Sequence, residues 1–299
     1  MKNTSHLILL VILGLVLPNS VTAQNLYWTS SFGGENGNGA MINYDINTGQ
    51  LEPSVSLEGN PLAPWNVYQS SLTDSETSEF ELGGLLAAAD GYVYGIDHHA
   101  GVGTNSLDQG VESGMLYRFL PGTNKVEVLH TFTGSNYMFN DNLNEGALLK
   151  GYSKPRFSII EGQPGVIYGI CVGGGQDNLG GIWKFEIATG LYTQLDDFSS
   201  TGIGFNPTSS LFVGPNNDLY GILANNAIGV TNGRLYKLDL TLEVLSPISD
   251  LLASGAGIFK PHGDVIYEPS TNRMFGTKRF DFEPFGGGVY TYDFTTGQV

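Results

Sequence analysis

Asp97-His98-His99 puts a carboxylate beside two imidazoles, the residue types that hold zinc. Adjacent side chains on an extended segment point to opposite sides, so the two histidines do not converge on one ion and no metal site is expected there. Gly33-Gly34-Glu35-Asn36-Gly37-Asn38-Gly39 and Gly173-Gly174-Gly175-Gln176-Asp177-Asn178 carry oxygen donors. Neither has the run of spaced carboxylates that a calcium loop needs, and neither is followed by the Lys-Ser/Thr of a phosphate-binding loop. Both are expected to be turns. The chain has no Gly-x-Ser-x-Gly elbow and no His-Glu-x-x-His helix, and its single Cys171 has no histidine nearby in sequence. Cys171 is therefore expected to be a small buried apolar side chain. No catalytic residue, metal ion or cofactor is assigned from the sequence.

What remains is a set of aromatic, imidazole and carboxylate groups on polar, glycine-rich segments: Trp65 and Tyr68, His98 and His99, Asp177, and Phe280 and Phe282. Exposed aromatics beside carboxylates and amides suit a surface that binds a sugar or a peptide. An alternative is that acidic residues on separate units act as a general acid and base pair, which would make the protein a carbohydrate-active hydrolase or lyase.

The elements that would position these groups recur. Leu26-Tyr27-Trp28, Val93-Tyr94-Gly95-Ile96, Ile167-Tyr168-Gly169-Ile170, Leu219-Tyr220-Gly221-Ile222 and Met274-Phe275-Gly276-Thr277 are short aromatic strands. Each is followed by a polar glycine loop and a second strand of alternating polarity: Met41 to Tyr44, Met115 to Phe119, Ile182 to Phe185, Leu235 to Leu238 and Val289 to Tyr292. Three of these run into similar turns, ending in Thr48-Gly49, Thr189-Gly190 and Thr296-Gly297, where glycine supplies the positive φ that closes a hairpin. With one further strand on each side, exemplified by Phe157 to Ile160 and Leu191 to Phe198, the unit has four strands. The expected fold is all-β: a β-propeller of about five four-stranded repeats, the first and last incomplete, over residues 24–299. The loops between second and third strands and the loops between units open at one end, which would gather the candidate residues there.

The segment from Phe198 through Asn206-Pro207 and Leu219-Tyr220-Gly221 to Gly233-Arg234-Leu235-Tyr236-Lys237-Leu238, together with Gly181-Ile182-Trp183-Lys184-Phe185, resembles the GloVer tandem repeat of exported bacterial proteins. Trp28, where the repeat has glycine, departs from the pattern. The resemblance implies a propeller-like exported protein with a variable carboxy-terminal surface anchor, and it supplies no catalytic residues. Because Val299 falls directly after the fifth hairpin turn, the chain is expected to be truncated and fused to such an anchor.

Charge narrows the partners. With 13 Lys plus Arg against 29 Asp plus Glu, a net charge of -16 and no basic cluster, nucleic acid is not an expected partner. Lys2, the apolar run Leu7 to Leu17 and the small-residue site Val21-Thr22-Ala23 form a signal peptide over residues 1–23, cleaved before Gln24. That run is too short to span a bilayer, so no transmembrane segment is expected. The mature protein is expected to be secreted or held at the cell surface, where an extracellular glycan or protein is the partner.

Overall fold

The computed structural model describes residues 25–30, 40–45, 49–56, 84–97, 114–121, 123, 126–133, 151–226, 233–251, 260–279 and 287–299. These residues are all-β and form five antiparallel sheets that follow one another along the chain. The first sheet contains β1 (Asn25–Ser30), β2 (Ala40–Asp45) and β3 (Gln50–Ser56). The second contains β4 (Leu86–Ala87), β5 (Val93–Asp97), β6 (Met115–Phe119) and β7 (Val126–Thr131). The third contains β8 (Tyr152–Gln163), β9 (Val166–Gly174), β10 (Gly181–Glu186) and β11 (Leu191–Asp197). In the fourth, β12 (Phe205–Pro207) and β13 (Phe212–Val213) both pair with β14 (Leu219–Asn225), followed by β15 (Arg234–Asp239) and β16 (Val244–Asp250). In the fifth, β17 (Lys260–Pro261) and β18 (Ile266–Glu268) both pair with β19 (Arg273–Arg279), which pairs with β20 (Gly288–Asp293). The aromatic and alternating strands expected from the sequence are β1, β5, β9, β14 and β19, with β2, β6, β10, β15 and β20.

One cross-strand pair explains the repeated Tyr-Gly. Gly95, Gly169, Gly221 and Gly276 lie opposite Tyr117, Trp183, Tyr236 and Tyr290. A Cβ at any of these glycines would fall within 3.0 Å of the facing ring. The aromatic therefore lies flat across its neighbour strand, and only a residue without a side chain admits it. In the first sheet Trp28 is in register with Ile42, so the glycine–aromatic pair is absent there.

The hairpin turns repeat as closely. Asp239 Oδ1 accepts the Thr241 and Leu242 amides at 3.0 Å, and Asp293 Oδ1 accepts those of Thr295 and Thr296 at 2.8 and 3.1 Å. Gly49, Gly190 and Gly297 close their turns at φ of 68°, 69° and 70°. In the fourth sheet Glu243 stands at this place with φ 56°.

Successive sheets stack face to face. Tyr94, Ile96, Leu116 and Phe132 of the second meet Ile167, Cys171, Trp183 and Phe185 of the third. Tyr168, Ile170 and Ile182 of the third meet Leu219, Leu223, Tyr236 and Leu238 of the fourth. Tyr220, Ile222 and Leu235 of the fourth meet Met274, Tyr290 and Tyr292 of the fifth. Alternation sends odd and even positions of each strand into different seams, so the middle sheets are apolar on both faces. At roughly 1.5–3 kcal/mol for each large apolar side chain buried, these seams are the main stabilising element.

The first strands of the sheets are joined as well. The Ser158 amide donates to Ser210 Oγ at 3.0 Å, and the Ser210 amide donates to Asp264 Oδ1 at 2.8 Å. These three residues hold the same repeat position, two before Ile160, Phe212 and Ile266, which face Tyr168, Tyr220 and Phe275. The third sheet thus hydrogen-bonds the fourth, and the fourth the fifth, each through one side-chain oxygen. The strand bends just before this point, at Phe157 (φ 68°) in the third sheet and Gly263 (φ 84°) in the fifth.

Candidate ligand-binding surface

The β9 to β10 loop is a described member of the loop set expected to gather at one end. Gly174, Gly175 and Gly180 take φ of 76°, and Asn178 takes 55°. Asn178 Oδ1 accepts the Gly174 amide at 2.8 Å, and the Gly180 amide donates to the Gly174 carbonyl at 3.0 Å. The loop is also tied to both flanking strands. The Gly175 amide donates to the Gly151 carbonyl at 3.2 Å, and the Phe198 amide to the Gly180 carbonyl at 2.9 Å. Asp197, half-buried at the end of β11, accepts the Gln176 amide on Oδ2 at 2.9 Å. Beneath it the buried Tyr152 donates its hydroxyl to the Asp196 carbonyl at 2.7 Å. The crest of this braced loop leaves Gln176 and Asp177 exposed.

The fourth sheet has a related arrangement at the same end. Asp250 faces Arg234 in register, as Asp197 faces Gly181 in the third sheet. Asp250 accepts Arg234 Nε on Oδ1 at 2.7 Å and Asn226 Nδ2 on Oδ2 at 3.2 Å. Burial raises this carboxyl, but the hydrogen bonds from Arg234 and Asn226 outweigh it and hold the group below its ordinary pKa. Arg234 Nη1 also reaches the Gly202 and Ile203 carbonyls at 3.3 Å, pinning the connection between the two sheets. Beside it the exposed Asn206 donates Nδ2 to Asn225 Oδ1 at 2.9 Å. Because β12 packs against β9, Asn206 and the braced loop belong to one end of the stack.

Of the residues singled out from sequence, Asp177 is placed here, exposed on the crest. Trp65, Tyr68, His98, His99, Phe280 and Phe282 lie outside the described residues, as does the segment 1–23. Gln176, Asn206, Asp197 and Asp250 were not singled out. Aligning the repeats at the apolar residue after the fourth strand, Phe198 and Leu251, would have put Asp197 and Asp250 at one recurring position. Cys171 is fully buried in the seam between second and third sheets, and burial pushes its thiol well above the ordinary range, leaving it unsuited to attack as a thiolate.

Three carboxylates at this end are engaged within the protein: Asp196 Oδ2 accepts the Leu245 amide at 3.2 Å across a seam, Asp197 accepts the Gln176 amide, and Asp250 accepts the Arg234 and Asn226 side chains. What the surface offers a ligand is exposed amide and carboxylate groups on an immobilised loop.

No protein-family model matches the chain, and no curated protein matches its sequence. Solved β-propeller proteins are similar to it in structure. They include TolB from Acinetobacter baumannii, 11% identical with a TM-score of 0.45, over 87% of this chain and 47% of that one. An oligogalacturonate lyase from Vibrio parahaemolyticus is 11% identical with a TM-score of 0.49, over 87% of this chain and 58% of that one. A GH74 xyloglucanase from Xanthomonas campestris is 14% identical with a TM-score of 0.48, over 90% of this chain and 35% of that one. The chain thus spans about half the length of these proteins or less. No helix among the described residues is long and apolar enough to cross a membrane.

Proposed function

We propose that this chain is an exported β-propeller module of the GloVer type that binds an extracellular glycan at the end carrying the β9 to β10 loop. The observation that supports it most is the bracing of that loop by Gly151, Asp197 and Phe198 while Gln176 and Asp177 stay exposed. A loop whose backbone is already held in place loses little entropy on binding, so a few hydrogen bonds to sugar hydroxyls suffice for affinity. Amide and carboxylate groups are the usual partners of those hydroxyls, and Asn206 extends the same polar strip. The stacked sheets, linked through Ser158, Ser210 and Asp264, support the propeller arrangement because equivalent strands adjoin in chain order.

The test is a glycan array followed by titration calorimetry on any hit. Asp177→Ala and Gln176→Ala are each expected to weaken binding by about tenfold, the value of roughly 1.5 kcal/mol for a hydrogen bond to a charged or well-held polar group. Binding unaffected by both substitutions overturns the location. Failure to bind any glycan overturns the glycan reading, and turnover of a polysaccharide with a bell-shaped pH profile would replace it with the hydrolase or lyase alternative.

A further inference from the structure

The cations of this acidic chain are unevenly placed. On three successive sheets the first strand carries a proline at one register position: Pro155 opposite Cys171, Pro207 opposite Leu223 and Pro261 opposite Lys278, each partner two residues after the glycine that faces an aromatic ring. The residues on either side of these prolines are Lys154 and Arg156, Asn206 and Thr208, and Lys260 and His262. All six can donate hydrogen bonds and none is acidic, in a chain with 29 Asp plus Glu against 13 Lys plus Arg.

The strands that carry them are neighbours. The Ser158 amide reaches Ser210 Oγ at 3.0 Å, the Ser210 amide reaches Asp264 Oδ1 at 2.8 Å, and the Gly263 amide donates to the Thr208 carbonyl at 3.1 Å. Residues at one repeat position on these strands therefore stand side by side, Arg156, Thr208 and His262 in one row and Lys154 and Asn206 in the next. Asn206 and His262 are exposed, and Lys154, Arg156 and Thr208 are half-buried. Lys154 takes φ 55° and Asn206 φ 58°, so both strands bend here, and the lysine holds a conformation that costs a residue with a side chain about 1 kcal/mol. The Arg156 guanidinium lies 5.3 Å from the Phe157 ring centroid, which supports it from one side. The row adjoins the braced loop: Gly151, whose carbonyl accepts the Gly175 amide, leads directly into the strand that carries Lys154.

We propose that these first strands, beside the β9 to β10 loop, bind the acid groups of a polysaccharide, with Lys154 and Arg156 as the principal contacts and Asn206, Thr208 and His262 extending the row. This names the class of glycan for the surface proposed above and rests on that reading. The net charge of -16 repels polyanions, but at physiological salt that repulsion is screened beyond about 8 Å, so short-range pairing decides where such a polymer is held. The guanidinium and ammonium groups supply that pairing to carboxylate or sulfate, and the amide, hydroxyl and imidazole take the sugar hydroxyls between the charges. Of the carboxylates nearby, Asp264 keeps Oδ1 on the Ser210 amide, and Asp177 stands on the loop crest, where it accepts from hydroxyls.

The test is calorimetric titration of the full chain with alginate, with alginate whose carboxylates are methyl-esterified, with dextran sulfate and with neutral dextran. Alginate or dextran sulfate is expected to bind, the tighter of the two naming the acid group, and esterification is expected to abolish alginate binding. Lys154→Asn, which copies the fourth-sheet residue at the same backbone conformation, and Arg156→Gln are each expected to weaken binding about tenfold, the value of one hydrogen bond to a charged group. The thermal midpoint of Lys154→Asn is expected to be unchanged, so this variant decides alone if Arg156→Gln destabilises the fold. Binding that survives esterification, or that Lys154→Asn leaves unchanged, overturns the proposal. A neutral hit on the glycan array with no acidic polymer bound overturns it and leaves the glycan reading standing, whereas an array without any hit removes both. A single-stranded polynucleotide bound as tightly as the acidic polysaccharide also overturns it, since the surface would then hold any polyanion.

Discussion

At the residue scale, Glu243 shows how a repeat is bent to serve its neighbour. Gly190 and Gly297 close the equivalent turns without strain, whereas a glutamate at φ 56° sits in a region that costs a residue with a side chain about 1 kcal/mol. The side chain crosses the seam to Lys184 Nζ at 2.5 Å, and the pairing with Glu243 is the main cause of the raised lysine pKa. A partly exposed pair of this kind is worth about 0.2–1 kcal/mol, so strain and attraction nearly cancel. Glu243→Gly is expected to be within about 0.5 kcal/mol of the parent in denaturant unfolding, and Glu243→Ala, which keeps the strain and loses the pair, about 1 kcal/mol less stable than the glycine variant. Equal stability of the two variants would show that the turn carries no strain.

At the element scale, the seam between second and third sheets rests on aromatic contacts that the repeat alone does not dictate. His130 of β7 stacks on Tyr192 of β11 at 3.6 Å between centroids, with Phe132 edge-on at 5.0 Å. Burial lowers the His130 pKa to about 4. The unfolded chain therefore takes up a proton near pH 6.5 that the folded chain takes up only near 4. The contribution is complete above about pH 6.5 and is lost as pH falls through the window down to about 4, by roughly 1–2 kcal/mol for a ring still partly in solvent. Denaturant unfolding between pH 7 and 4 is expected to show this slope, reduced in His130→Phe. In the same seam Trp183 lies over Gly169, where a Cβ would overlap the indole, so Gly169→Ala is expected to cost about 1–3 kcal/mol or more, read as a fall in thermal midpoint. A tolerated alanine would mean that the indole can swing away.

At the scale of the whole molecule, the sheets are nearest-neighbour units joined by seams and by one hydrogen-bonded position on their first strands. Cys171, fully buried and held as a thiol between second and third sheets, reports on whether such a seam opens by itself. Labelling by a thiol reagent is expected to be negligible in native buffer and to rise with denaturant along the global unfolding transition. Labelling that is fast without denaturant would show that this seam opens independently of the rest.

Much of this was legible in the order of the residues. Alternating apolar positions, the Tyr-Gly strands and the Thr-Gly turns announced the strands and hairpins because those signals are local: a period of two and a positive φ are properties of a few consecutive residues. Asp177 was legible as exposed for the same reason, lying in a glycine-rich loop. The partners far apart in the chain were not legible. Asp197 holding the Gln176 amide, Glu243 reaching Lys184, and Ser210 bridging Ser158 to Asp264 join residues 21, 59, 52 and 54 positions apart. Nor does sequence separate Val289 from Leu235, one exposed and the other fully buried at the same repeat position. Burial depends on which sheet stands opposite, and only the tertiary structure decides that.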